Sequence, residues 1–161
     1  MIFDDVPART AEKGVWTLRL PKVPLSYNVL RHTHWAQYSK IMEEWFYLVR
    51  SCDMFLDISR PTGKRWIVIT RNGIKRLDRD NLYASVKPII DVLRPPVTKS
   101  GVYATGIRKG QPWTRSRIGH GLILEDDEDH LELKVKNGKK LDKGEKPYVT
   151  IIISDFPIPE D

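Results

Sequence analysis

Cysteine is almost missing. Cys52 stands alone among 161 residues, which excludes an intrachain disulfide and a cysteine-based zinc cluster and makes a reducing compartment the natural reading. Long apolar runs are missing too. No stretch approaches the roughly 20 residues of a membrane span, and the N-terminus carries no apolar signal-peptide core, so a cytoplasmic protein without a membrane partner is expected. The four histidines, His32, His34, His120 and His130, lack zinc-finger spacing. The aspartate-rich segments lack the glycine and closing glutamate of a calcium-binding EF-hand loop. No internal repeat is present.

What the chain does have is charge. It carries 27 Lys and Arg against 21 Asp and Glu, a net +6 with a pI near 9.4, which favours polyanionic partners without identifying one. With 40% hydrophobic and 30% charged residues, the composition is that of a globular domain, and the length suits a single one. Residues 1–13 mix charge with Pro7, and residues 156–161 form a short acidic tail with two prolines. Both ends are expected to be flexible, leaving 14–155 as the folded domain.

Periodicity orders the elements. Val15 to Leu20 alternates apolar and polar residues and stops at Pro21, as a half-buried strand does. Thr33 to Leu56 contains no proline or glycine, and Trp35, Ile41, Met42, Trp45, Leu48 and Val49 recur at helical spacing. Pro61-Thr62-Gly63 ends this helix, and the β-branched run Arg65 to Thr70 predicts an interior strand. A second helix, capped by Asp80 or Asn81, runs to about Leu93 and is kinked at Pro88. A long loop over 95–120 follows. His130 to Lys136 alternates, Asn137-Gly138 reads as a turn, and Tyr148 to Ser154 is a β-branched last strand. The order β-α-β-α-loop-β-β predicts an α+β fold, a mixed sheet of about four strands with two helices on one face. Trp16, Trp35, Trp45 and Trp66 are expected in the core.

The chemistry concentrates in two acidic segments. Arg76-Leu77-Asp78-Arg79-Asp80-Asn81-Leu82 places two carboxylates two residues apart at the start of the second helix. In extended backbone both would point to one side, where solvent, a basic neighbour or a divalent cation must offset their repulsion. Lys75, Arg76 and Arg79 are such neighbours, so a charged helix cap explains the segment as well as a metal site does. At about 100° per residue, Asp80, Lys87 and Asp91 fall within about 40° of one another on a face opposite the apolar stripe. The second segment is Gly121-Leu122-Ile123-Leu124, a strand-like run entering five consecutive acids, Glu125 to Asp129. If extended, Asp126 and Asp127 point to opposite sides, so one can face the Asp78-Asp80 pair and the other solvent. A few carboxylates holding Mg²⁺, with a nearby lysine, are what phosphodiester hydrolysis requires.

Taken together, these segments resemble the RusA family of junction endonucleases. The shared elements are a basic strand leading into Asp78-Arg79-Asp80-Asn81-Leu82, the Lys87 to Asp91 segment, and the glycine-led run Gly121 to Asp127. The Pro24-x-x-x-Asn28 turn and the Arg31-His32-x-His34-Trp35 stretch are also similar, so the likeness spans roughly Trp16 to Ser154. It implies an Mg²⁺-dependent endodeoxyribonuclease, with Mn²⁺ as an alternative ion, that resolves four-way DNA junctions as a homodimer. It further implies Asp78, Asp80 and Asp127 as metal ligands, Asp126 as an accessory ligand, Lys87 as the catalytic lysine, and Asn81 and Asp91 in secondary roles. Two features depart from the family pattern. Lys87 sits about one helical turn further from the Asp-x-Asp pair, and the segment before Asp126 is unusually long.

That long segment is basic. No acid lies between Asp91 and Glu125, while Arg94, Lys99, Arg108, Lys109, Arg115 and Arg117 are interspersed with Tyr103 and Trp113, a composition suited to phosphate contact and base stacking. With Lys75, Arg76, Arg79, His32 and His34, these are the expected DNA contacts, although His32 and His34 would equally cap the first helix. The lysines of 134–146 form a second basic cluster that reads as a solvated surface. Two rival readings fit the same residues: a non-catalytic nucleic-acid-binding protein, and a nuclease of the same chemistry acting on flaps, forks or RNA.

Overall fold

A computed structural model describes residues 9–159. The remaining residues of the expected flexible ends, 1–8 and 160–161, lie outside it. The strands are β1 (Arg9–Glu12), β2 (Val15–Leu20), β3 (Arg65–Gly73), β4 (Val97–Val102), β5 (Pro112–Arg117), β6 (Leu131–Lys140) and β7 (Tyr148–Ser154). The helices are α1 (Tyr27–Leu30), α2 (Trp35–Leu56), α3 (Arg79–Ser85) and α4 (Lys87–Leu93). Five strands form the main sheet in the order β1-β2-β7-β3-β6, and β4 and β5 form a separate two-stranded sheet.

The α+β architecture and the mixed sheet agree with the sequence reading. β3 lies inside the sheet, antiparallel to β7 and parallel to β6. Its alternate residues Ile67 and Ile69 join Trp16, Leu18 and Leu20 of β2 and Val149, Ile151 and Ile153 of β7 in one core, as the period of two requires. Met42, Trp45 and Val49 of α2 and Ile89, Ile90, Val92 and Leu93 of α4 close the core from one side. The face carrying Lys134 and Lys136 lies opposite.

Several expectations are corrected. Residues Arg9 to Glu12, read as part of a flexible end, pair with β2 as an edge strand. Asn137-Gly138 is not a turn but stays inside β6. The backbone at Gly138 passes so close to β3 that an added Cβ would lie 2.3 Å from Asn72 Oδ1, so glycine here serves close approach rather than reversal. β6 and β7 are therefore not a hairpin, because β3 lies between them. The strand-like Gly121 to Leu124 is irregular: Leu122 and Ile123 both enter the core, and the Leu122 N–H donates to the Leu93 carbonyl (2.7 Å). The long loop is corrected as well, since 95–120 folds into the β4–β5 hairpin. Trp35 is 74% exposed and Trp66 only partly buried, whereas Trp16 and Trp45 are core residues.

Arg65 joins the back of the sheet to the acidic segment. It is fully buried and donates to the carbonyls of Leu122 (2.7 Å) and Ser59 (2.6 Å) and to Asp155 Oδ1 (2.9 Å). A buried guanidinium is tolerable only with its donors used in this way.

Candidate functional site

The Asp-x-Asp segment is fixed from two directions. Upstream, Asn137 of β6 clamps Leu77: the Asn137 amide donates to the Leu77 carbonyl (2.8 Å), and the Leu77 N–H donates back to Asn137 Oδ1 (3.3 Å). Downstream, Asp78 rather than Asp80 or Asn81 caps α3. Its Oδ1 accepts from the Asn81 N–H (3.0 Å) and its Oδ2 from the Asn81 side-chain amide (2.6 Å). The backbone N–H of Asn81, followed by its side-chain amide, holds the Asp78 carboxyl below its usual range, because both bonds favour the ionised form. Asp80 is exposed in the first turn of α3, and Lys75, Arg76 and Arg79 are exposed around it.

The kink expected at Pro88 splits the second helix into α3 and α4. From α4 and the acidic segment a charged cluster then assembles. Lys87 Nζ lies 3.3 Å from Asp91 Oδ1 and 3.9 Å from Asp126 Oδ2. Arg94 lies 3.6 Å from each of the same two carboxylates and pairs with Glu125. Asp91, expected on the outward face, is instead only 7% exposed. The Tyr38 hydroxyl of α2 donates to Asp91 Oδ2 (3.0 Å), and burial, reinforced by the Asp91 charge, raises the Tyr38 phenol well above its usual range. Tyr38 therefore stays protonated at neutral pH, and Asp91 keeps its donor. Three carboxylates thus share two cations.

Asp126 and Asp127 face different partners. Asp126 joins the cluster, whereas Asp127 Oδ1 accepts from the backbone N–H groups of Asp129 (3.1 Å) and His130 (3.0 Å) and lies 2.6 Å from His130 Nδ1. The His130 side chain, as the main cause, holds the Asp127 carboxyl below its usual range. Both acids, with Lys87 and Tyr83, line an open cavity of about 750 Å³ floored by Val86, Ile90 and Leu131. Asp78 and Asp80 do not line it.

The DNA contacts expected from sequence divide by position. Arg94 is an inner member of the cluster, its side chain only 18% exposed. Arg117 is partly buried at the base of the hairpin, where it donates to the Pro95 carbonyl (3.4 Å). Lys99, Arg108, Lys109 and Arg115 are exposed on the hairpin. His34 caps α2, accepting from the Ala36 N–H (3.3 Å), and His32 accepts from Arg31 (3.0 Å).

Sequence reasoning missed Tyr38, Glu125 and Asn137 and did not anticipate that Arg94 pairs with Asp91, Glu125 and Asp126. The i,i+3 and i,i+4 relations of Asp91 to Arg94 and Lys87 were available as signals. No local pattern announces Tyr38, which arrives from another helix.

Among the described residues, no three His, Cys, Asp or Glu side chains are grouped to hold a metal ion. The oxygen donors nevertheless suit Mg²⁺, which takes one or two carboxylates and fills its remaining positions with water and phosphate oxygens. Comparison of the chain with protein-family models, curated proteins and solved structures finds no match, so the likeness to RusA enzymes rests on the motifs quoted above.

Proposed function

We propose that this chain is an Mg²⁺-dependent endodeoxyribonuclease, with Mn²⁺ able to substitute, that resolves four-way DNA junctions as a homodimer in the cytoplasm. One observation carries the reading. An exposed lysine, Lys87, lies between the buried Asp91 and Asp126 and lines an open cavity with Asp126 and Asp127.

Each residue then has a physical task. Tyr38 and Arg94 hold the buried Asp91 side chain in place, and Asp91 orients Lys87. Lys87, free at its outer side, would meet the charge that grows on a phosphoryl oxygen. Asp78 and Asp80 at the start of α3 lie outside the cavity lining and, among the described residues, are not grouped with Asp126 and Asp127 as a three-carboxylate site. Asp126 and Asp127, which line the cavity, are the carboxylates that would hold the ion. Bound there, Mg²⁺ would supply an acidified water and charge neutralisation at the phosphate. Arg94 offsets the repulsion among the acids before the ion arrives, and the exposed basic residues around α3 and on the hairpin suit the DNA backbone.

A second reading is favoured by the same bonds. Asp78 caps a helix, Asp127 caps a turn and Asp126 is ion-paired, so the acids would be structural in a DNA-binding protein without activity. Cleavage separates the two. A labelled four-way junction is incubated with Mg²⁺ or Mn²⁺ beside linear, flap, forked and RNA substrates, using the wild type, Asp126→Asn and Lys87→Ala. Paired nicks in the junction, reduced at least about 100-fold in either variant, support the nuclease. Cleavage of flaps, forks or RNA alone would keep the chemistry and change the substrate. Binding without cleavage in either metal overturns the proposal.

A further inference from the structure

The β4–β5 hairpin has no partner in the main sheet. A two-stranded ribbon is marginal by itself, and this one is braced along its length. Trp113 lies across the Gly101 backbone, so close that an added Cβ would come within 2.7 Å of the indole, and the Arg115 guanidinium sits 5.3 Å from the same ring. Near the end, the Tyr103 N–H donates to the Gln111 carbonyl (3.0 Å) and the Gly110 N–H to the Tyr103 carbonyl (2.8 Å). At the base, Gly119 packs against the Arg94 carbonyl, where an added Cβ would lie 2.1 Å away. The ribbon is thus a braced projection rooted beside the charged cluster.

Its tip has an unusual composition. Gly106 and Gly110 adopt positive φ angles of 83° and 81° and turn the chain, leaving Ile107 at the apex with 105% relative exposure. Arg108 and Lys109 follow it, Lys99 and Arg115 are exposed on the strands, and no acid occurs from 92 to 124. A lone exposed aliphatic residue needs no explanation. One at the apex of a braced ribbon whose charges all have one sign has the form of a wedge. Lysine and arginine hold phosphates, and a short apolar side chain enters a base step and unstacks it.

We infer that the β4–β5 ribbon is a DNA arm and that Ile107 inserts into the stack at the branch point. This rests on the proposed branched-DNA substrate but not on cleavage. Charge complementarity argues for DNA. Ile107, even together with the exposed Val102 on β4, is too little apolar surface to anchor a chain to a bilayer, where even a whole acyl chain binds marginally. At a branch point stacking is already weakened, so the insertion costs less there than in continuous duplex.

The test uses the full chain in EDTA, so that no strand is cut, and a four-way junction carrying 2-aminopurine at the crossing. Wild-type protein is expected to raise the fluorescence on binding. Ile107→Ser should abolish that rise and weaken binding about tenfold, with an unchanged salt slope. The double variant Arg108→Gln/Lys109→Gln should lower the slope of log K against log salt by about 1.8, or about 0.9 per phosphate contact, and keep the rise at saturation. Equal Tm values establish that the variants fold. No rise with wild type, an undiminished rise with Ile107→Ser, or binding to phosphatidylserine vesicles in place of DNA would each overturn the arm. Cleavage assayed in parallel separates the readings: cutting without Ile107-dependent unstacking removes only the wedge, and unstacking without cutting removes only the nuclease.

Discussion

The charged cluster and the β4–β5 ribbon adjoin at Arg94, yet they use arginine in opposite ways. In and behind the cluster, Arg94 and Arg65 are largely enclosed, Arg94 pairing with Glu125, Asp91 and Asp126 and Arg65 donating to backbone carbonyls and Asp155. On the ribbon, Arg108 and Arg115 are exposed, and the interaction seen for Arg115 is with the Trp113 ring. The difference teaches that the basic excess of this chain is not one surface. Part of it holds the acidic segment together from within, and another part, on the ribbon, faces solvent.

Perturbing each region should therefore give different readouts. The largest loss of stability is expected for Arg65→Met. It leaves the Leu122 and Ser59 carbonyls buried without their donor and should cost about 3 kcal/mol, read as a fall in the urea midpoint. An unchanged midpoint would mean that the acidic segment is held independently of Arg65. A pair of glycine substitutions tests the boundary between the regions. Gly119→Ala forces a Cβ into the Arg94 backbone and should cost about 1–3 kcal/mol. Gly101→Ala only displaces Trp113 and should stay within about 0.5 kcal/mol. Equal losses would show that ribbon and cluster unfold as one unit.

The smallest effect concerns pH. His120 lies where the ribbon rejoins the core, stacked on Phe46 with ring centroids 4.2 Å apart and with Nε2 2.8 Å from the Phe46 carbonyl. Burial, the largest cause, pushes its imidazole below the ordinary 6.5. The unfolded chain then takes up the proton first, so this contribution to stability is present above pH 6.5 and is lost as the pH falls toward the lower folded value. Tm should decline from pH 6.5 downward in the wild type and less in His120→Gln. Parallel curves would assign the decline to other groups.

How much of this was legible in the sequence follows from which interactions are local. α2 and the break at Pro88 follow from helical spacing and a missing N–H. β2, β3 and β7 follow from alternation or β-branching. The parts that escaped depend on distant partners or on none. β1 is four residues joined to β2 by backbone bonds, which leave no pattern in side chains. The ribbon is polar on both faces, so it has no alternation to read. Leu122 and Ile123 are both buried, and an apolar run reports burial without specifying backbone form. At the site, the Lys87–Asp91 spacing was readable, and Asp126 was half readable as one of an adjacent pair. Tyr38 and the Asn137 clamp were not, because each reaches its partner across more than fifty residues.

The parallel pairing of β3 with β6 has a kinetic consequence. Parallel neighbours cannot be joined by a tight turn, and here the connection from Gly73 to Leu131 contains α3, α4, the ribbon and the charged residues Lys87, Asp91, Arg94, Asp126 and Asp127. Closing so long a segment loses chain entropy before any β3–β6 hydrogen bond repays it. The antiparallel pairings of β7 with β3 and β2 close still longer segments, so only the β1–β2 hairpin can zip early, and the acidic site is assembled together with the long-range sheet. Trp45 packs on that same long-range sheet, so its burial during refolding should keep pace with recovery of the site.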